Sequence, residues 1–207
     1  MTCLAYRPLL AHSCFVLLSI LIFTTLAMTQ NDARPVRVLI QTEMGDIEAE
    51  IDTVHAPISA ANFLKYVDGG HYDGGRFHRT VKIRPDNQPQ NEIKIEVIQA
   101  SANPERRRDG FPPIPLERTN KTGLKHKDGT LSMARNGPDT ATSSFSICIG
   151  DQPELDFGGK RNPDGQGFAA FGQVIKGMDV VKKIQAAPAE EQQLKPPIKI
   201  LKITRKL

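Results

Sequence analysis

From Val36 onward the apolar residues come in short runs of strand length, broken every few residues by Gly, Pro or Asp. "VRVLIQTEMGDIEAEID" sets the pattern: Ile47, Ala49 and Ile51 alternate with Glu48 and Glu50, which is the period of two of a half-buried strand, and Gly45 supplies the turn of a hairpin. "RFHRTV", "IEVIQAS", "GTLSMAR", "SFSICIG", "GFAAFGQVI" and "PIKILKITRKL" read the same way. Two segments carry helical spacing instead. "APISAANFLKYVDGG" places Pro57 in its first turn, Ala61, Leu64 and Val67 on one face, and Gly69-Gly70 at its end. "GMDVVKKIQAA" turns Val180, Val181 and Ile184 inward. Many short strands with two helices predict a mainly β barrel or sandwich rather than alternating βαβ units.

The connections are also legible. "KIRPDNQPQNEIK" is polar with two prolines and reads as an exposed loop, residues 82–95. Residues 102–128 carry Pro104, Pro112, Pro113 and Pro115 and read as mostly exposed loop. The chain shows no internal repeat. With 39% hydrophobic and 24% charged residues the body should be globular. Its net charge of +4 is weak and dispersed. Arg106-Arg107-Arg108 is a short solvated cluster beside Asp109, and no basic stripe with interleaved aromatics argues for nucleic acid.

The first thirty residues differ. Arg7 is the only charge before Asp32, and "CFVLLSILIFTTLAM" has the length of a signal-peptide core. It is short for a membrane span, which needs about 20 apolar residues. Residues 1–30 are therefore read as a signal peptide, with a retained N-terminal anchor as the alternative, and 31–35 as a linker to the body, 36–207. Either reading exports the body, to a periplasmic or other extracytoplasmic site, with membrane contact only through an uncleaved N-terminus. Loss of the leader removes Cys3 and Cys14 and leaves Cys148 alone, so no internal disulfide is expected. Nothing argues for an oligomer, and a monomer is expected.

Familiar catalytic devices are missing from the pattern. "GGKRNPDGQG" lacks the Gly-Lys-Ser/Thr ending of a phosphate loop, and no G-x-S-x-G elbow occurs. The five His have no metal-ligand spacing, and no cofactor or metal is expected. Any enzyme built on this chain works by binding and electrostatics.

"RFHRTV", "VIQAS", "GTLSMARNGPDTATSSFSICIGDQPELD" and "GFAAFGQVIKGMDVVKKI", in that order, resemble the cyclophilin family of peptidyl-prolyl cis-trans isomerases. The resemblance covers essentially all of 36–207. It implies a closed eight-stranded antiparallel β-barrel capped by two α-helices, with proline-containing polypeptides as partners. By resemblance Arg79 is the catalytic arginine of the Phe-His-Arg motif, and Gln99 the glutamine that holds substrate backbone and helps orient the arginine. Met133, Ala134 and Arg135 match a Met-Ala-Asn segment, with Arg replacing Asn. Leu155 matches a leucine of the proline pocket, and Phe168 a position often held by His. His78 is either a packed, hydrogen-bonded histidine or a substrate contact, and Phe77 is expected in the core.

The departures concern the apolar pocket. The segment between "FHR" and "VIQ" is longer than in compact members. Glu96-Val97 replaces Phe-Met, leaving Val97 as a groove residue. Gln-Phe-Phe becomes Ser144-Phe145-Ser146, so Ser146 stands where a phenyl normally floors the pocket. Glu154 replaces a Trp that contacts cyclosporin in many members, and weak cyclosporin binding is expected. The leading expectation is an exported isomerase of reduced efficiency. The alternative is a proline-peptide binding module on the same scaffold.

Overall fold

The computed structural model describes Thr2, residues 35–84 and residues 86–206, without the side chains of 107–109. The leader and most of the linker lie outside the described residues, and 33–207 form one compact unit.

The first hairpin follows the alternation. β1 (Val36–Thr42) and β2 (Gly45–Ile51) pair in the register Ile40↔Ile47 and Val38↔Ala49. Val38, Ile40, Ile47, Ala49 and Ile51 are all fully buried, while Glu48 and Glu50 point away from the core. Gly45 matters because a Cβ there would come within 2.9 Å of Val180 Cγ2.

The remaining strands are β3 (Arg76–Val81), β4 (Val97–Ser101), β5 (Thr130–Met133), β6 (Phe145–Cys148), β7 (Ala169–Lys176), the two-residue β8 (Ala189–Glu190) and β9 (Gln193–Lys206). Their order is β1-β2-β7-β5-β6-β4-β3-β9, all antiparallel, and β9 returns to β1. Eight strands thus close into a barrel and leave no long edge unpaired. β8 is a short spur on β9.

β9 is longer than the sequence reading, which began it at Pro197. Its C-terminal half pairs with β1 and its N-terminal half with β3. The extra length passes through Pro196 and Pro197, which the ladder tolerates because the register shifts between Phe77 and Arg79.

α1 (Pro57–Asp68) has Pro57 in its first turn and ends at Gly69. It packs on β7 and β9 with Ala60, Phe63, Leu64 and Val67 inward. Ala61, expected on that face, is exposed, although Leu64 and Val67 of the same row are buried. Phe63 meets Tyr72, Phe145 and Phe171 at ring distances of 5.4, 5.3 and 5.3 Å. α3 (Met178–Ala186) buries Val180, Val181 and Ile184 as expected and packs on β2, β3 and β4.

The long connections are more ordered than their composition implied. α2 (Thr119–Thr122) is a single helical turn within 102–128, and Leu116, Thr119 and His126 of that segment are buried. In the 82–95 loop, Gln88 is fully buried and Asn87 and Ile95 nearly so. Amide side chains replace secondary structure there: Gln88 Nε2 donates to the carbonyls of Lys82 and Ile95, and Asn87 Oδ1 accepts from the Lys82 N–H. Among the described residues no helix is long and apolar enough to cross a membrane.

Candidate functional site

The register of four strands lays a row of side chains across the outside of the barrel. Arg79 of β3 pairs with Gln99 of β4, Gln99 with Ser146 of β6, and Ser146 with Ser132 of β5. The neighbouring row, Ile98, Ile147 and Leu131, is fully buried on the other face. The period of two therefore builds the core and the site from the same strands. All four residues of the polar row line one groove of about 300 Å³.

Arg79 is fixed from two sides. Its Nη1 donates to Gln99 Oε1 at 3.0 Å, and its Nε and Nη2 donate to Gln192 Oε1 at 2.8 and 2.5 Å. Gln192 is held in turn, since its Nε2 donates to the Asn87 carbonyl at 2.6 Å. The Asn87 side chain donates to the Glu191 carbonyl at 2.6 Å, which ties the 82–95 loop to the turn before β9. Burial pulls the Arg79 guanidinium below its ordinary value. Its acceptors are neutral amide oxygens, so its charge is positioned without being neutralised. A guanidinium has five N–H donors, and these contacts leave one hydrogen on each terminal nitrogen for a ligand.

The apolar wall combines Val97, Leu155 and Phe168, which the sequence reading placed in the groove, with Ile95, which it did not. Ile95, Val97 and Leu155 form a small cluster with Val81 and Cys148, and Phe168 packs against it. Ser146 lines the groove without supplying phenyl area, but Ile95, Leu155 and Phe168 give it an apolar side. Leu155 and Phe168 are clasped by the Phe168 N–H donating to the Leu155 carbonyl at 2.8 Å, so residues 156–167 leave and return at one point. Gly167 permits that closure, as a Cβ there would lie 2.5 Å from the Asp156 carbonyl carbon at a φ of +66°.

Arg135 plays a part that its motif position does not suggest. Its side chain is only 1% exposed and pairs with Asp164 at 2.7 Å. It also donates to the Gly167 carbonyl at 2.8 Å and stacks over Phe168 at 4.9 Å. The side chain secures the 156–167 excursion. Glu154, at the former Trp position, accepts from the Lys160 N–H at 2.8 Å and does not line the groove.

Under the groove, His126 sits between Asp156 and Ser132, with Nδ1 to Asp156 Oδ1 and Nε2 to Ser132 Oγ both at 2.8 Å. The order acid, imidazole, hydroxyl is that of hydrolases. Ser132, however, is 2% exposed and lies inside β5, paired on both sides with Ser146 and Ala170, so its strand offers no converging N–H groups for an oxyanion. The trio braces the groove floor.

Of the residues expected from the sequence, Arg79, Gln99, Val97, Met133, Ala134, Arg135, Ser144, Ser146, Leu155 and Phe168 line this groove together. His78 does not. It sits at the register shift between Phe77 and Arg79, lines a neighbouring cleft with His71 and Arg76, and approaches Ser101 Oγ at 3.4 Å. Burial, with the nearby charges of Arg79 and Arg76, lowers its pKa. Phe77 is fully buried, as expected. Ile95, Arg161 and Gln192 went unforeseen. No local motif marks Gln192, which lies 113 residues from Arg79. Cys148 is buried and its thiol pKa is pushed up by burial, which suits packing and not nucleophilic chemistry. Among the described residues no cluster of His, Cys, Asp or Glu could hold a metal.

Residues 37–205 match the family described as cyclophilin type peptidyl-prolyl cis-trans isomerase/CLD. The chain is 37% identical over 155 residues to peptidyl-prolyl cis-trans isomerase A of Dickeya dadantii, covering 74% of this chain and 73% of that one. It is 35% identical over 170 residues to a peptidyl-prolyl cis-trans isomerase of Acinetobacter baylyi, covering 79% and 82%. In fold it resembles a cyclophilin type isomerase of Cryptosporidium parvum, with a TM-score of 0.65 at 24% identity over 84% of this chain and 98% of that one. With the barrel, the groove and these relatives in agreement, the chain belongs to the cyclophilin-type peptidyl-prolyl cis-trans isomerases.

Proposed function

We propose that this isomerase turns X-Pro bonds by donating a hydrogen bond from Arg79 to the proline nitrogen of the twisted amide. The observation that carries this reading is a guanidinium held by Gln99 and Gln192 beside the apolar wall of Ile95, Leu155 and Phe168. Amide resonance sets a rotation barrier of about 18–20 kcal/mol. The two X-Pro isomers differ by only about 0.5–1 kcal/mol, so the task is rate. As the bond twists, resonance is lost and the proline nitrogen regains a lone pair. A donor already in place stabilises that state more than the planar one. Lowering the barrier by about 7 kcal/mol gives roughly a hundred-thousandfold acceleration. The wall holds the ring, and the Gln99 amide and the backbone of Ala134-Arg135 hold the flanking chain.

The clients are read as proteins folding outside the cytoplasm. The support is the apolar run in residues 15–28 ahead of the barrel, which suits an export signal. Uncatalysed isomerisation takes about 10–100 s, long enough to limit folding of an exported chain.

The test is cis-trans exchange of a short Ala-Pro peptide with the wild type and Arg79→Ala. Catalysis that collapses in the variant is the expected result. Undiminished catalysis by Arg79→Ala would refute the donor role. A wild type that binds the peptide without accelerating its exchange would leave a recognition module on the same scaffold.

A further inference from the structure

Arg161 reaches the groove from the 156–167 excursion, and the twisting of a prolyl bond has no evident use for it. Its Nη1 donates to Gln88 Oε1 at 2.8 Å and to the Ile93 carbonyl at 2.6 Å. Gln88 is fully buried and is itself fixed by the carbonyls of Lys82 and Ile95, so the anchor is rigid. The two bonds use both Nη1 hydrogens and set the plane of the guanidinium. The opposite edge, Nε and Nη2, has no hydrogen-bond partner among the described residues. That edge is the fork that matches a carboxylate with two parallel bonds.

The charge around it is unbalanced. The groove is lined by Arg79, Arg135 and Arg161 and by no Asp or Glu. Asp164 matches the charge of Arg135, but the acceptors of Arg79 and Arg161 are neutral. Burial lowers the Arg161 pKa, and the charge of Arg79 lowers it further, so the two cations sense each other. A carboxylate entering the groove relieves that repulsion and fills the open fork.

We propose that Arg161 is a specificity determinant that favours prolyl substrates carrying an Asp or Glu next to the proline. The proposal rests on the groove being the isomerase site.

The experiment uses acetylated, C-terminally amidated peptides, so that a side chain supplies the only carboxylate. Glu is compared with isosteric Gln at the residue before proline and at the residue after it. The readout is the Glu-to-Gln ratio of kcat/KM from exchange NMR with the full-length chain. A ratio of roughly fivefold or more in one position is expected, the size of one charge-assisted contact in a half-open groove. It should shrink in roughly 0.5 M salt. In Arg161→Gln the ratio should fall to about one, whatever the absolute rate, while Arg161→Lys keeps part of it. Wild-type ratios near one at both positions, with an Ala-Pro parent turned over normally, would overturn the proposal. If no peptide is turned over, the isomerase reading fails separately, and the same pairs are compared by titration calorimetry. Equal Kd values would then overturn the carboxylate preference.

Discussion

Replacing Gln192 by Ala tests whether Arg79 works because it is present or because it is aimed. Gln192 Oε1 takes two of the three protein hydrogen bonds made by the Arg79 guanidinium, at 2.8 and 2.5 Å. In Gln192→Ala only the Gln99 contact at 3.0 Å remains, and the side chain regains rotamers about its long stem. A hydrogen bond to a charged group contributes about 1.5–3 kcal/mol. Water takes up part of that loss here, because the groove is open. A transition-state deficit of about 1.5–2.5 kcal/mol follows, or roughly a ten- to seventyfold fall in kcat/KM. Gln192 is a positioning residue, so the fall should lie in kcat, with KM nearly unchanged. The assay is steady-state isomerisation of an Ala-Pro peptide by the wild type, Gln192→Ala, Arg79→Ala and the double variant. If the two residues act as one device, the double variant is no slower than Arg79→Ala. Gln192→Ala within about twofold of the wild type would refute the aiming argument.

Three further outcomes follow from the geometry. Phe63→Ala empties the site where α1 meets Tyr72, Phe145 and Phe171, and chemical denaturation should show a loss of about 3–5 kcal/mol. Ser146→Phe adds apolar area to the groove floor beside Leu155, and kcat/KM for Ala-Pro peptides should rise several-fold, toward the roughly tenfold that about 1.5 kcal/mol of added ring burial allows; no change would mean that Ile95 and Phe168 already supply the wall. The folded pKa of His78 lies below its ordinary 6.5, because burial disfavours the imidazolium. The unfolded chain therefore binds more protons as pH falls below about 6.5, and stability present above that value is lost on acidification. Denaturant midpoints near pH 7.5 and pH 5 should differ less in His78→Asn than in the wild type.

Strand alternation made a barrel or sandwich legible, while the closed eight-stranded barrel and the groove residues were expected from the family resemblance; the alternation explains how those residues come to share a face. In "SFSIC" the order Ser-Phe-Ser-Ile sends Phe145 and Ile147 inward and Ser146 outward, and the pairing of four such strands lines up Arg79, Gln99, Ser146 and Ser132. The position of His78 did not follow from that rule, because the register shifts between Phe77 and Arg79 and leaves His78 unpaired at the shift, with neither His78 nor Arg79 in the core. The loops were less legible. Polarity made 82–95 read as solvated, yet Asn87 and Gln88 are buried because each amide satisfies several backbone groups at once. Composition cannot distinguish an amide that faces water from one that replaces a ladder. The anchoring contacts of Arg135 were hidden for a similar reason. Its partner, Asp164, lies in an excursion whose return point depends on Gly167 and on the clasp between Phe168 and Leu155.

The late arrival of β9 has a consequence for synthesis. Barrel closure needs β9 against both β1 and β3, and the residue that aims Arg79 stands just before it. A nascent chain that has made every other element still has two open edges and an unaimed guanidinium. Contacts so distant in sequence also form slowly. Catalytic competence therefore waits on a single event, the docking of β9 against both open edges, and does not build up strand by strand.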